Sequence, residues 1–132
     1  MSVLIDTDVA IELRDGNPRI SEQASRLPAP LHVSAITRIE LENGVYREVE
    51  LTALKRARLD RLLTTITTLD FGPAEISGYR RILESTGFSR RKIADRMTAA
   101  TALVHGLPLV TLNGRDFRDV PGLELIEWER SR

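Results

Sequence analysis

"VLIDTDVA", residues 3–10, governs how the rest of the chain is read. Val3 to Ile5 form an apolar run too short for a helix and suited to a short buried strand, and two carboxylates, Asp6 and Asp8, follow it with one residue between them. From Asp6 onward "DTDVAIELRDG" carries Val9, Ala10 and Leu13 at helical spacing, up to a Gly16-Asn17-Pro18 breaker. The opening unit is therefore strand then helix, with acids at the joint.

Outward from that unit the same alternation continues. "LHVS" at 31–34 reads as a second strand, and Ser34 suits the cap of a helix running through Val45. "LTALKRARLDRLLTTI" at 51–66 spaces Leu51, Leu54, Leu59, Leu62 and Ile66 along an amphipathic helix, and "TLDF" from 68 is a candidate third strand. Pro73 suits a first helical turn and Gly87 a helix end. "RRKIADRMTAATALVHG" is a further helix closing at Gly106, followed by a fourth strand in "LPLVTLN" at 107–113 and a short fifth in "LELIEW" at 123–128. Strands alternating with helices indicate parallel β-α units, so the fold class is α/β with helices on both faces of one sheet. Ligands of such sheets bind beyond the carboxyl ends of the strands, which is where Asp6, Asp8, Asn113 and Asp116 fall.

Composition narrows the field. At 132 residues, with 42% hydrophobic and 29% charged residues, the chain suits one globular domain over 1–132, without repeats or low-complexity tracts. No apolar run approaches the ~18 residues of a membrane span, and an acid at position 6 breaks any secretory apolar core, so a cytoplasmic protein with no membrane partner is expected. Zero cysteines exclude disulfides, thiolate metal sites and cysteine nucleophiles. Net charge is zero but uneven: residues 1–50 hold nine acids and five bases, residues 55–96 ten bases and five acids. "KRARLDR" and "SRRK" in that middle segment read either as solvated helix faces or as a surface for phosphates.

Each acid taken alone has an ordinary reading as a cap, a turn or a solvated side chain. Their neighbours alter that reading. Glu40 lies one helical turn after Ile36 and borders a face that must bury, whereas Glu42 points elsewhere. Asp95 begins a line of small residues through Ala99 and Ala102, which lets its helix approach the sheet closely. If Asp6, Glu40, Asp95 and Asp116 converge, each pair of like charges about 4 Å apart costs about 4 kcal/mol at an effective dielectric of about 20. A divalent cation is the natural counterweight, and all-oxygen donors select Mg²⁺ or Mn²⁺ over zinc. Thr111 and Asn113 in "TLNGRDF" are candidate polar groups beside the site or parts of a plain turn. His32 and His105 are expected to be structural, and the chain has no glycine-rich phosphate loop, Ser-His-Asp order or zinc spacing.

"VLIDTDV", "SAITRIELENG", "ADRMTAATALVHGLPLVTLNGRDF" and "GLELIEW" together resemble a PIN domain of the VapC type, the toxin half of a toxin–antitoxin pair, in order and at family spacing over the whole chain. The resemblance implies an α/β/α sandwich around a five-stranded parallel sheet and a Mg²⁺- or Mn²⁺-dependent endoribonuclease. It also implies a homodimer neutralised by a cognate VapB-type antitoxin. Carried over by position, the family's acids fall on Asp6, Glu40, Asp95 and Asp116, with Thr7, Thr111 and Asn113 as supporting polar groups. Two departures stand out: Asp8 where the family most often has asparagine, and Thr98 where it often has isoleucine. The expected chemistry is in-line hydrolysis leaving a 5′-phosphate and a 3′-hydroxyl, with Asp6, Asp95 and Asp116 holding one or two ions and Glu40 orienting water or a second ion. Arg80, Arg81, Arg90, Arg91 and Lys92 are the expected RNA-backbone contacts.

Two rival readings bear on the same residues. "VLIDTDV" also fits the Asp-x-Asp motif of haloacid-dehalogenase-type phosphotransferases using Asp6 and Asp8, with Ser34 as a second motif, but that chemistry needs a phosphoryl-holding lysine, and the only lysines, Lys55 and Lys92, lie in arginine-rich helical stretches. A receiver-type phosphorelay domain fails for the same lack of a lysine. The other rival is a catalytically silent module that binds only a protein partner.

Overall fold

The structure, a computed structural model, describes residues 2–130. Strand β1 (Val3–Ile5) runs into α1 (Thr7–Arg14) and α2 (Pro18–Ser25); β2 (Leu31–Ser34) is followed by α3 (Ala35–Tyr46), a 3-10 turn at Val49–Leu51 and α4 (Thr52–Leu63). Then come β3 (Ile66–Leu69), α5 (Pro73–Thr86), a 3-10 turn at Arg90–Lys92 and α6 (Ile93–His105). The chain continues with β4 (Leu109–Thr111), a 3-10 turn at Gly114–Asp116 and β5 (Leu125–Glu127). All strand pairs are parallel, in the order β3-β2-β1-β4-β5.

The two-residue period of β1 sorts the core into two. Val3 and Ile5 pack with Val9, Val33, Leu41, Val45, Leu59 and Val110 on the face covered by α1 to α4. Leu4 packs the other way, with Leu109, Ile82, Phe117 and the α6 alanines Ala99, Ala100 and Ala102. Helices thus cover both faces of a five-stranded parallel sheet, the expected α/β/α sandwich. The small-residue line of α6 does what its sequence implied: Ala99, Ala100 and Ala102 are fully buried. At the α5–α6 contact a side chain on Gly78 would come within 3.0 Å of Val104 and 3.6 Å of Ala100.

Several signals read from the sequence are built as expected. Ser34 caps α3 by accepting the Thr37 N–H (3.1 Å), Pro73 opens α5, and Gly106 closes α6 in the left-handed region (φ 64°). Others differ. Ile66 begins β3, pairing with Leu31, and does not extend the preceding helix, while Asp70 and Phe71 lie beyond the strand. The Gly16-Asn17-Pro18 breaker also starts a helix: Asn17 accepts the N–H groups of Arg19 (3.0 Å) and Ile20 (3.2 Å), Pro18 supplies the preset first turn, and α2 buries Ile20. β4 and β5 are three residues each, shorter than the apolar runs that announced them.

The order 3-2-1-4-5 places β1 centrally, with its successor β2 on one side and β4 on the other. The carboxyl ends of β1 and β4 therefore flank the point where the connections diverge, which is where open α/β sheets carry their sites.

Candidate active site

Asp6 is the residue at which β1 becomes α1. Its backbone N–H continues the sheet by donating to Val110 (2.9 Å), while its side chain caps α1 by accepting the Thr7 N–H (2.7 Å). The second carboxylate oxygen accepts the Thr111 hydroxyl at 3.1 Å, and that hydroxyl in turn accepts the Asn113 N–H at 2.9 Å. Only 6% of Asp6 is exposed. Burial raises its pKa from 3.8 to about 7; the two hydrogen bonds oppose the rise and the charges of Asp95 and Asp8 add to it.

Glu40 reaches the same corner from α3. It is exposed, and its Oε1 accepts the Thr7 hydroxyl at 2.6 Å. Behind that bond runs a line of hydroxyls: Thr7 to Thr37 (3.0 Å), Ser34 to Thr37 (3.2 Å) and Ser34 to Thr98 (3.3 Å). Ser34, Thr37 and Thr98 are buried. The line ties β2, α3 and α6 together beneath the cleft, and it explains Thr98: its hydroxyl completes the chain where an isoleucine offers none. Glu42 points away, into ion pairs with Arg56 (2.7 Å) and Arg38 (3.4 Å).

Asp95 sits in the first turn of α6 and Asp116 in the 3-10 turn after β4. Asp95 has its pKa raised from 3.8 to about 6, first by burial and then by the charges of Asp116, Glu40 and Asp8; Lys92 pulls the other way. Asp6, Glu40, Asp95 and Asp116 thus share one electrostatic neighbourhood, and Asp8 belongs to it as a fifth acid. Among the described residues no three of them close into a finished ion cage. The donors are all oxygen, the ligand type of a hard cation such as Mg²⁺ or Mn²⁺. Two carboxyls pushed up by burial and by one another are groups that such a cation would relieve. The residues fit it.

A family model described as "PIN domain" matches residues 3–123. The chain belongs to the PIN-domain family and is of the VapC type. It is 34% identical over 130 residues to ribonuclease VapC1 of Rickettsia felis, covering 96% of each chain. It is 30% identical over 132 residues to ribonuclease VapC of Rickettsia bellii, again with 96% of each chain covered. The crystal structure of VapBC2 from Rickettsia felis bound to a DNA fragment from their promoter has the same fold, with a TM-score of 0.86 at 23% identity over 98% of this chain and 100% of that one.

Within this PIN fold the remaining residues named from the sequence separate into groups. Thr7 and Thr111 touch the acids directly. Asn113 bonds Asp8 through its side-chain amide, and Arg130, which no motif or spacing singles out, donates to the same Asp8 oxygen at 2.5 Å and to the Asn113 side-chain carbonyl at 2.8 Å. Lys92 faces Asp95 and lies 3.7 Å from Asp119. Arg80, Arg81, Arg90 and Arg91 are exposed, Arg80 within 3.9 Å of Glu84. His105 meets Glu75 at 3.2 Å, away from the acids, and His32 has a buried Nδ1 without a partner among the described residues. Lys55, a lysine the phosphotransferase reading would need, is held by Glu48 at 2.8 Å.

Proposed function

We propose that this chain is a metal-dependent endoribonuclease, the toxin of a VapBC-type pair, working as one PIN domain over residues 1–132. The observation that supports the reading is the electrostatic coupling of Asp95 to Asp6, Glu40 and Asp116 beyond the carboxyl ends of β1 and β4, with Asp6 and Asp95 both raised in pKa by burial and by acid neighbours. The ribonuclease names of relatives aligned over nearly the whole chain support RNA as the substrate. Lys55 is held by Glu48, so the phosphotransferase alternative would have to rest on Lys92, which lies by Asp95 and Asp119.

Asp6, Asp95 and Asp116 would hold Mg²⁺ or Mn²⁺, with Glu40 beside them. Bound there, such an ion lowers the pKa of a water and offsets charge on the phosphoryl oxygens. Thr111 and the Thr7 N–H keep Asp6 in a single orientation. The Thr7 hydroxyl fixes Glu40, which accepts a proton as the water oxygen bonds to phosphorus in line with the departing O3′. The O3′ leaves as a hydroxyl after taking a proton from solvent, and the other product carries the 5′-phosphate. Lys92, beside Asp95, and the exposed Arg80, Arg81, Arg90 and Arg91 contact the RNA backbone around this acidic centre.

The same reading includes a homodimer and a VapB-type antitoxin. Structural neighbours that are VapBC complexes support it, as do apolar side chains left at the surface, among them Val49 (82% exposed) and Phe88 (71%). The reading is tested with a mixed RNA pool: cleavage disappears in EDTA and returns with Mg²⁺ or Mn²⁺. Undiminished cleavage in chelator, or no cleavage of any RNA, overturns it.

A further inference from the structure

Residues 128–130, which follow β5, are fastened one after another. The Trp128 N–H donates to the Thr111 carbonyl at 2.9 Å, the Glu129 carbonyl accepts from Arg19 at 2.6 Å, and Arg130 reaches Asp8 and Asn113. Three anchored residues in succession make a built arrangement, and they bring a guanidinium to the edge of the cleft where the acids gather. Asp8 and Asn113 are matched to it: one Asp8 oxygen accepts from both Arg130 and the Asn113 amide, and the Asn113 carbonyl accepts Arg130 in return. The ring closes on the Nη2 group alone. Among the described residues Nε and Nη1 of Arg130 meet no acceptor, and its side chain is 57% exposed.

The free side of that guanidinium lies where two cavities meet. One, about 180 Å³, is lined by Asp8, Glu12, Asn17 and Leu112; the other, about 570 Å³, by Asn113, Arg115, Arg118, Trp128 and the carboxylates Glu127 and Glu129; Arg130 belongs to both. The larger runs along the 3-10 turn that carries Asp116. A Cβ on Gly114 would have to displace the Glu127 side chain, 2.0 Å away, and Glu127 holds Arg118 at 2.6 Å. Arg115 is exposed and has no ionic or hydrogen-bonded partner among the described residues. A groove with one free arginine, a second arginine offering a free fork and an indole in its wall suits a single nucleic-acid strand, whose phosphates take the forks and whose bases lie against the ring.

We propose that Asp8, Asn113 and Arg130 form a clasp that presents the Arg130 guanidinium to a phosphate of the RNA strand flanking the scissile bond, with the Arg115–Trp128 groove receiving that strand. The inference rests on the ribonuclease reading above and adds to it a strand path through residues other than Arg90 and Arg91. It also gives the departure at position 8 a role: the aspartate holds an arginine that a neutral amide would hold less firmly, and the arginine cancels the extra acid. Asp8 is a positioning residue; Arg130 is the group that touches RNA.

The test measures binding of a fluorescent single-stranded RNA, one that the wild type cuts, in EDTA across a range of salt, beside steady-state cleavage with Mg²⁺. Arg130→Ala is expected to weaken binding roughly tenfold and to lower the salt slope by about 0.7, the value of one phosphate contact on a single strand. Its loss in cleavage should lie in KM more than in kcat. Asp8→Asn should weaken binding by a smaller factor without changing the slope, and Asp8→Asn with Arg130→Ala should bind no worse than Arg130→Ala alone. Arg130→Lys should keep the slope but not the full affinity. Affinity and slope unchanged in Arg130→Ala, or losses that add in the double variant, overturn the clasp. A wild type that cleaves no RNA overturns the ribonuclease reading instead, so the two failures are distinct.

Discussion

Replacing Asp6 by asparagine should make the metal-free protein more stable above neutrality while destroying its chemistry. The carboxyl is 6% exposed and its pKa is raised from 3.8 to about 7. The fold therefore holds a proton on Asp6 that the unfolded chain has lost, and stability falls as pH rises from about 4 to about 7, remaining low above that. At about 1.4 kcal/mol for each tenfold change in proton affinity, that rise puts the ceiling of the loss at about 4 kcal/mol. Asparagine carries no charge to bury. Its side-chain oxygen still accepts the Thr7 N–H, and its amide faces the Thr111 hydroxyl, which can accept it in place of donating, for a loss of about 1 kcal/mol. Urea unfolding in EDTA at pH 5 and pH 8 should show wild type losing stability between the two while Asp6→Asn loses markedly less, leaving the variant ahead at pH 8 by up to about 3 kcal/mol. Asp95, with a pKa of about 6, slopes the same way in both proteins, so the difference between them reports Asp6. Parallel pH profiles for the two proteins would refute the burial of a strained carboxylate at this corner.

Glu40→Gln should lower RNA cleavage by about 10²-fold or more by removing the proton acceptor fixed by Thr7, while Glu42→Gln, which loses only its ties to Arg38 and Arg56, should cleave normally with a stability change within about 1 kcal/mol; equal losses in both would remove Glu40 from the site. Asp119, held by two 2.9 Å bonds from Arg96, has its pKa depressed to about 2, so its contribution is present above pH ~4 and is lost as pH falls toward 2; the stability gap between wild type and Asp119→Asn, followed by acid unfolding, should close across that window. Replacing Arg90, Arg91 and Lys92 together by alanine should weaken RNA binding and flatten its salt dependence, and an unchanged slope would return them to a solvated surface.

How much of this could be read before folding depended on the distance over which each signal acts. The caps Ser34 and Gly106 and the apolar run Val3–Ile5 are local and were built as read. Ile66 satisfies the helical spacing of α4 and the start of β3 equally, and pairing with Leu31, 35 positions earlier, settles it. Asn17-Pro18 carries the chemistry of a helix start as much as that of a break, and the burial of Ile20 decides between them. Asp6, Asp95 and Asp116 could be singled out because each stands at a marked place, a strand end, a helix start and a turn, whereas Glu40 lies inside α3 and only its facing on the helix points to it. The hydroxyl line through Ser34, Thr37 and Thr98 and the tie from Arg130 to Asp8 join residues up to 122 positions apart, and neither leaves a periodicity or a spacing in the sequence.

On the proposed reading, Asp6 of "VLIDTDVA" does the chemistry and Asp8 does not. The measurement that tests this most directly is cleavage of saturating RNA by Asp6→Asn and Asp8→Asn side by side, with a small phosphomonoester as a second substrate. Loss of RNA cleavage in Asp6→Asn, a reduction of less than about tenfold in Asp8→Asn, and no phosphomonoester turnover by any of the proteins is the predicted result. A loss of about 10²–10⁴-fold in Asp8→Asn, or wild-type phosphomonoester turnover abolished by both substitutions, would contradict it and make Asp8 a general acid and base.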